Sequence, residues 1–157
     1  MNGSPVELPD LLLFDGDWNR YVELVYQRFR QDLVESDLFF QGLPVRLRKR
    51  PLSEGKEEAF WHLVSEGPAE ADRVPDLRRC ERIGWIRWLI EAGDSGRLPV
   101  WASQRERERS LVIALRDFSY VVVRGDRRRF WLLRTAYPIN QDHQRKKKLK
   151  EWEAAQK

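Results

Sequence analysis

Between Leu98 and Thr135 four apolar runs follow one another across connections too short for anything but a reversal of direction. They are Leu98 to Ala102, Ser110 to Leu115, Ser119 to Arg124 and Arg129 to Thr135. Each is rich in β-branched or aromatic residues, which suit a pleated, half-buried surface. Arg116-Asp117 and Gly125-Asp126 lie between successive runs, and Gly-Asp is a hairpin signal. Parallel neighbours would need a crossover of a dozen residues or more, so these runs predict a four-stranded antiparallel meander.

The segments upstream are of a different kind. Residues 1–15 are a Pro-punctuated entry with an apolar run at Leu11 to Phe14. Asp17 reads as a helix N-cap. Tyr21, Leu24, Val25, Phe29 and Leu33 then recur at helical spacing, predicting a helix from Trp18 to about Glu35. Leu43 to Lys49 alternates Val45 and Leu47 against Arg46 and Arg48, the pattern of a half-buried strand. Ser53-Glu54-Gly55 is a turn, and the bulky run Phe60 to Val64 reads as a short strand. Pro75 opens a second helix, to Ala92, with Leu77, Cys80, Ile83, Ile86 and Ile90 as its buried stripe and Gly93 at its end. Asn140 to Ala155 reads as a last, basic helix with only Leu149 and Trp152 to pack. The fold class is α+β: N-terminal helices, the four-stranded antiparallel sheet, then the basic C-terminal helix.

A chain of 157 residues suits one folding unit and can bury roughly 68–70% of its unfolded surface. The single cysteine, Cys80, excludes an internal disulfide and a cysteine-rich zinc site; its apolar setting makes it a core residue. No apolar run approaches the roughly 20 residues of a membrane helix. The expected setting is cytoplasmic, or the cytoplasm of a cell into which the chain is delivered, with no membrane partner.

Charge is unevenly spread. Residues 1–45 carry three bases and eight acids, and the remainder carries 26 bases and 17 acids. A bipolar chain of this kind points its second part at an anion. Most of the bases are arginine, which forks onto phosphate and stacks on nucleobases.

No Gly-rich phosphate loop, HExxH or GxSxG is present, and two histidines with scattered acids make no metal site. Chemistry must therefore come from other groups. Histidine as a residue type titrates near neutrality, so a histidine at position 62 could move a proton in phosphodiester cleavage; the plain alternative for His62 is a structural histidine beside Trp61. Arg105, Arg107 and Arg109 alternate with Glu106 and Glu108, which in one extended ribbon would make a phosphate rail; the alternative is a self-compensating loop. Arg134, Thr135 and Tyr137 put a guanidinium, a hydroxyl and a phenol at the end of the best strand. Arg145, Lys146, Lys147, Lys148 and Lys150 form a basic run behind it. Seven tryptophans are mostly core, though Trp61, Trp101 or Trp131 could stack on a base.

The succession "GKEEAFWHL", "DLRRCERIGWIRWLIE", "VWASQRERERSLVIAL", "DFSYVVV" and "FWLLRTAYPI" resembles the phage-associated branch of the barnase–EndoU–colicin–RelE-like nuclease superfamily. The resemblance covers about Pro44 to Lys150. It sets residues 1–43 apart as an acidic helical extension and 44–157 as the nuclease domain. It implies a metal-independent endoribonuclease of toxin or effector type that needs no cofactor. RNA, tRNA included, would be its substrate, and an acidic antitoxin or inhibitor protein its partner. Carried over by position, the catalytic groups would be His62, the strand-end Thr135 and Tyr137, and a helix arginine. That arginine would be Arg82, with Arg78 and Arg79 competing. Arg109 would be the arginine ahead of the later strands, with Arg105 and Arg107 as alternatives. Lys56, Arg105, Arg107, Arg134, Arg145, Lys146 and Lys147 would bind RNA. The rival expectation is a non-catalytic nucleic-acid-binding or protein-interaction module on the same fold.

Overall fold

The computed structural model describes residues 8–66, 74–105 and 108–156. The meander forms as its punctuation predicts. Strands β7 (Val100–Arg105), β8 (Glu108–Ala114), β9 (Tyr120–Asp126) and β10 (Trp131–Pro138) pair antiparallel in sequence order. At the β8–β9 turn Asp117 accepts from the Ser119 amide at 3.0 Å and from its hydroxyl at 2.5 Å, an Asx-type closure.

The sheet does not stop at four strands. Strand β2 (Leu43–Arg46) lies parallel to β10, with Val45 opposite Trp131 and Arg46 opposite Leu132. Strand β1 (Phe39–Phe40) pairs antiparallel with β2. The sheet is therefore six-stranded and mixed, in the order β1-β2-β10-β9-β8-β7. A four-stranded meander would leave the backbone of β10 unpaired on one edge; the segment after the first helix covers that edge. Gln41 (φ 50) and Gly42 (φ 78) make the tight β1–β2 reversal, both in the left-handed region that a two-residue hairpin loop requires.

Helix α1 (Trp18–Phe29) starts at Asp17, whose carboxylate accepts from the Arg20 amide at 3.2 Å. It runs on through a π-helical turn, Arg30–Val34, and is capped at Glu35. Strands β3 (Leu52–Ser53) and β4 (Lys56–Glu57) form a small hairpin over the turn at Glu54-Gly55. The segment expected as a strand at Phe60 to Val64 is instead helix α2 (Glu58–Val64). Ala59, Phe60, Leu63 and Val64 are buried, a helical spacing, while the Trp61 indole turns away and donates to the Ser53 carbonyl at 2.9 Å.

The helix expected from Pro75 to Ala92 is also revised. Pro75 belongs to β6 (Val74–Pro75), which pairs with β5 (Ser65–Glu66). Helix α3 (Leu77–Glu81) begins after it, capped by the Asp76 carboxylate on the Arg78 amide. The chain breaks at Arg82–Gly84 and resumes as α4 (Trp85–Asp94). Gly84 faces the Arg28 guanidinium so closely that a Cβ would lie 2.9 Å from it. Gly93 does not end α4 but lies inside it, against Ile113 of β8.

The two faces of the sheet carry two cores. Leu111, Ile113, Val122, Leu133 and Ala136 face α1, α2, α3 and α4, packing with Tyr21, Val25, Phe29, Phe60, Cys80, Ile86 and Ile90. Residues on both sides of position 43 fill this core. The alternate residues Trp101, Val112, Ala114 and Val121 form the second core, with Phe118 and Ile139. Helix α5 (Asp142–Ala155) starts two positions later than expected and covers it through Leu149 and Trp152 alone. Arg124 is fully buried in the first core, its guanidinium carbon 3.6 Å from the Phe40 ring centroid and 5.2 Å from that of Trp131. No helix among the described residues is long and apolar enough to cross a membrane.

Candidate functional site

One irregularity in β10 organises the site. Leu133 stands opposite Arg124, and Thr135 opposite Val123, so Arg134 is an extra residue in the strand. Strict alternation would send Arg134 and Thr135 to opposite faces. A bulge puts two residues of one strand against one of its partner and re-aims the side chains there. Arg134 and Thr135 accordingly both line the same cleft, together with Val123 and Tyr137.

The cleft has a volume of about 990 Å³. Ser103 of β7 and Ser110 and Val112 of β8 also line it, and other segments close round these strands. From α2 come Glu58 and His62, one helical turn apart on the same side. His62 Nε2 lies 3.9 Å from Glu58 Oε1, and the imidazole is partly open to solvent. That separation is an ion-pair distance for a protonated histidine and too long for a hydrogen bond. The chain leaving β2 contributes Arg48, and the β9–β10 hairpin contributes Arg127. Gln144, Lys147, Lys148 and Glu151, spaced three and four apart, come from one side of α5, with Lys148 Nζ 3.5 Å from the Glu151 carboxylate. Gly125 matters to the packing here. A Cβ on it would lie 3.3 Å from both Arg127 Nη1 and Arg134 Cδ, so its bare backbone lets two arginine side chains rest on one strand.

Five cationic side chains (Arg48, Arg127, Arg134, Lys147 and Lys148) therefore face two carboxylates (Glu58 and Glu151) around one histidine, one threonine and one tyrosine. Such a lining favours an anion. Hydroxyl and guanidinium donors converging on one volume can hold phosphate oxygens while charge builds on them. Among the described residues no group of three or more His, Cys, Asp or Glu side chains is placed to hold a metal ion.

Of the residues expected at the site, His62, Arg134, Thr135, Tyr137 and Lys147 are brought together. Others are not. Arg82 follows α3 and stacks on Trp85 at 5.0 Å, donating to the Arg78 carbonyl at 3.1 Å. The α3 arginine beside the site is Arg79. Its guanidinium lies over the Tyr137 ring at 5.7 Å and donates to the Ser65 carbonyl at 2.6 Å, joining α3 to β5. Arg109 is exposed and alternates with Ser110 and Val112, which line the cleft, so it belongs to the other face of β8. The expected rail is not one ribbon. Arg105 ends β7 opposite Glu108, and Gln104 stands opposite Arg109, so the run is divided between two antiparallel strands. Arg107 lies outside the described residues. Lys56 is held by Glu23 at 2.6 Å and covers the Tyr26 ring at 5.0 Å, spent on joining β4 to α1. Arg145 folds back to donate to the Ile139 carbonyl at 2.9 Å, and Lys146 is exposed beside the cleft lining without joining it.

Sequence reasoning missed Arg48, Glu58, Arg127, Gln144 and Glu151. Glu58 and His62 carry a usable signal, their four-residue spacing, which becomes visible once that segment is read as a helix. The other four depend on how the chain closes around β10. Neither a family model, nor a curated protein, nor a solved structure matches this chain.

Proposed function

We propose that the chain is an endoribonuclease that cleaves RNA by attack of the ribose 2′-hydroxyl on the adjacent phosphorus. The observation that carries this reading is the bulge in β10, which turns Arg134 and Thr135 into a cationic cleft also lined by His62 and Tyr137. The nucleophile is supplied by the substrate, so the protein must move two protons and stabilise phosphorane charge. A base removes the 2′-hydroxyl proton. The 2′-oxygen–phosphorus bond forms as the phosphorus–5′-oxygen bond breaks, and an acid protonates the departing 5′-oxygen. The products are a 2′,3′-cyclic phosphate and a free 5′-hydroxyl, without need of a metal. His62 takes one of the proton-transfer roles. Arg134, Thr135 and Tyr137 hold the non-bridging oxygens, and Lys147 with Arg48 keeps the strand in the cleft. As a toxin- or effector-type enzyme, it would be silenced by a partner that presents carboxylates to the same cations.

The test is cleavage of total tRNA and of a single-stranded RNA, in EDTA, by the wild type beside His62→Ala. Loss of one proton-transfer group slows such chemistry by about 10²–10⁴-fold. Cleavage by the wild type alone, leaving cyclic-phosphate ends, supports the reading. Intact RNA in both reactions with salt-sensitive binding retained would instead make the chain a nucleic-acid-binding module.

A further inference from the structure

Beyond the cleft the positive charge continues, and it does so on one end of the sheet. The parallel pairing of β2 with β10 puts Arg46 opposite Leu132, beside the hairpin that carries Arg128 and Arg129. Phe130, half-buried, lies beneath the Arg46 guanidinium, with 5.1 Å from its carbon to the ring centroid. Arg128 sits at φ 69 with its amide donating to the Asp126 carboxylate at 2.8 Å, so the turn that displays these arginines is closed by its own hydrogen bond. Arg46, Arg48, Arg128 and Arg129 are all exposed. Among the described residues none of the four is within ion-pair distance of a carboxylate. Arg20, Arg28 and Arg30 of the N-terminal half each have one, in Asp15, Asp32 and Glu35. These four arginines thus lack an ion-pair partner among the described residues, whereas those of α1 have one.

We infer that this hairpin end is a strand-docking surface that extends the cleft, and that its occupant is single-stranded RNA longer than the cleft itself. The inference rests on the ribonuclease reading of the cleft and names its substrate class: a polymer engaged on both sides of the scissile phosphate. A mononucleotide placed at His62 would leave the hairpin unused. The Phe130 ring capped by Arg46 favours an unpaired base, because a base in a duplex has no free face to stack on that ledge. Arg128 and Arg129 then take the phosphates of the departing strand as point charges, which carry affinity and salt dependence.

The experiment uses the full chain carrying His62→Ala, so that RNA stays intact, and measures fluorescence anisotropy of labelled oligouridylates of ~4 and ~16 nucleotides across a salt series. The long oligonucleotide is expected to bind about tenfold tighter or more than the short one. Arg128→Asn with Arg129→Gln is expected to weaken the long one and to reduce its salt slope by about 1.4, roughly 0.7 for each phosphate of a single strand that is no longer neutralised. Asparagine is chosen because it tolerates the left-handed backbone at Arg128. Arg46→Gln, in regular strand, is the second variant and is also expected to weaken the long oligonucleotide. Parental affinity and slope in both variants would overturn the proposal. Equal affinity for a duplex DNA of similar length, or binding of polyglutamate in preference to RNA, would overturn its single-stranded occupant. The two readings fail separately. Length-dependent binding with no cleavage by the wild type removes the ribonuclease and keeps the surface; cleavage with an unchanged slope does the reverse.

Discussion

Replacing Arg124 by methionine is expected to make the protein more stable, although it removes a side chain with no exposure to solvent. The guanidinium is held between Phe40 and Trp131, and its three nitrogens have no hydrogen-bond acceptor among the described residues. Burial pulls its pKa well below the ordinary arginine value, to about 9, against a smaller opposing pull from Asp94. At about 1.4 kcal/mol for each pH unit, holding the charge there costs about 5 kcal/mol. Two desolvated cation–π contacts return up to about 2 kcal/mol each. The balance is a burden of about 1–3 kcal/mol, within the range gained when a buried ion is replaced by an apolar side chain of similar volume. Methionine follows the same unbranched path between the rings. Urea unfolding of Arg124→Met should show a higher midpoint at unchanged slope, and the melting temperature should rise by about 2–4 °C per kcal/mol. The sign with pH is fixed by the same shift. Above about pH 9 the native arginine releases its proton while the unfolded one keeps it, so native stability from this group rises with pH. The methionine advantage is therefore complete at neutral pH and shrinks above pH 9. Arg124→Lys, which keeps the charge and loses the flat stack, should be less stable than either. Loss of more than about 1 kcal/mol in Arg124→Met, with the slope unchanged, would refute the reasoning: the arginine would then be satisfied by partners that outweigh its desolvation.

Gly93→Ala gains about 1 kcal/mol of helix propensity but places a methyl 3.0 Å from Ile113 Cδ1 and Cγ2. The overpacking costs about 1–3 kcal/mol, so a net loss of stability is expected, and Ile113→Val in the same chain should recover part of it in a denaturant titration. Cys80 is buried and burial pushes its thiol from 9.0 up to about 12. Iodoacetamide at neutral pH should leave it unmodified in the folded protein and label it in urea, and this one group should lower native stability as pH rises above 9, because only the unfolded thiol ionises there.

Part of the candidate site was legible before any fold existed. His62, Arg134, Thr135, Tyr137 and Lys147 are chemically conspicuous, and the cleft gathers all five. Arg82, Arg109 and Lys56 were equally conspicuous as residue types. They went elsewhere because each satisfies its charge locally or sits on the opposite face, and neither outcome is written in composition. The aromatic residues of α2 fit a pleat, and so by themselves predict a strand. Its burial spacing, visible only against a core, is that of a helix.

Short connections and local hydrogen bonding determined the meander, since four apolar runs joined by tight turns have few other arrangements. The helical stripe of α1, the cap at Asp17, the buried Cys80 and the narrow apolar edge of α5 follow from the same local rules. The tertiary structure decided what depends on distant partners. It placed β2 parallel to β10, inserted Arg134 as a bulge, broke the 75–92 helix at Arg82–Gly84 and closed Phe40 over Arg124. Periodicity and turn chemistry act over a few residues and are read from them directly. Register and strand order are set by the packing of segments far apart in the chain, which is why the bulge that aims Arg134 at the cleft could not be read from "FWLLRTAYP" alone.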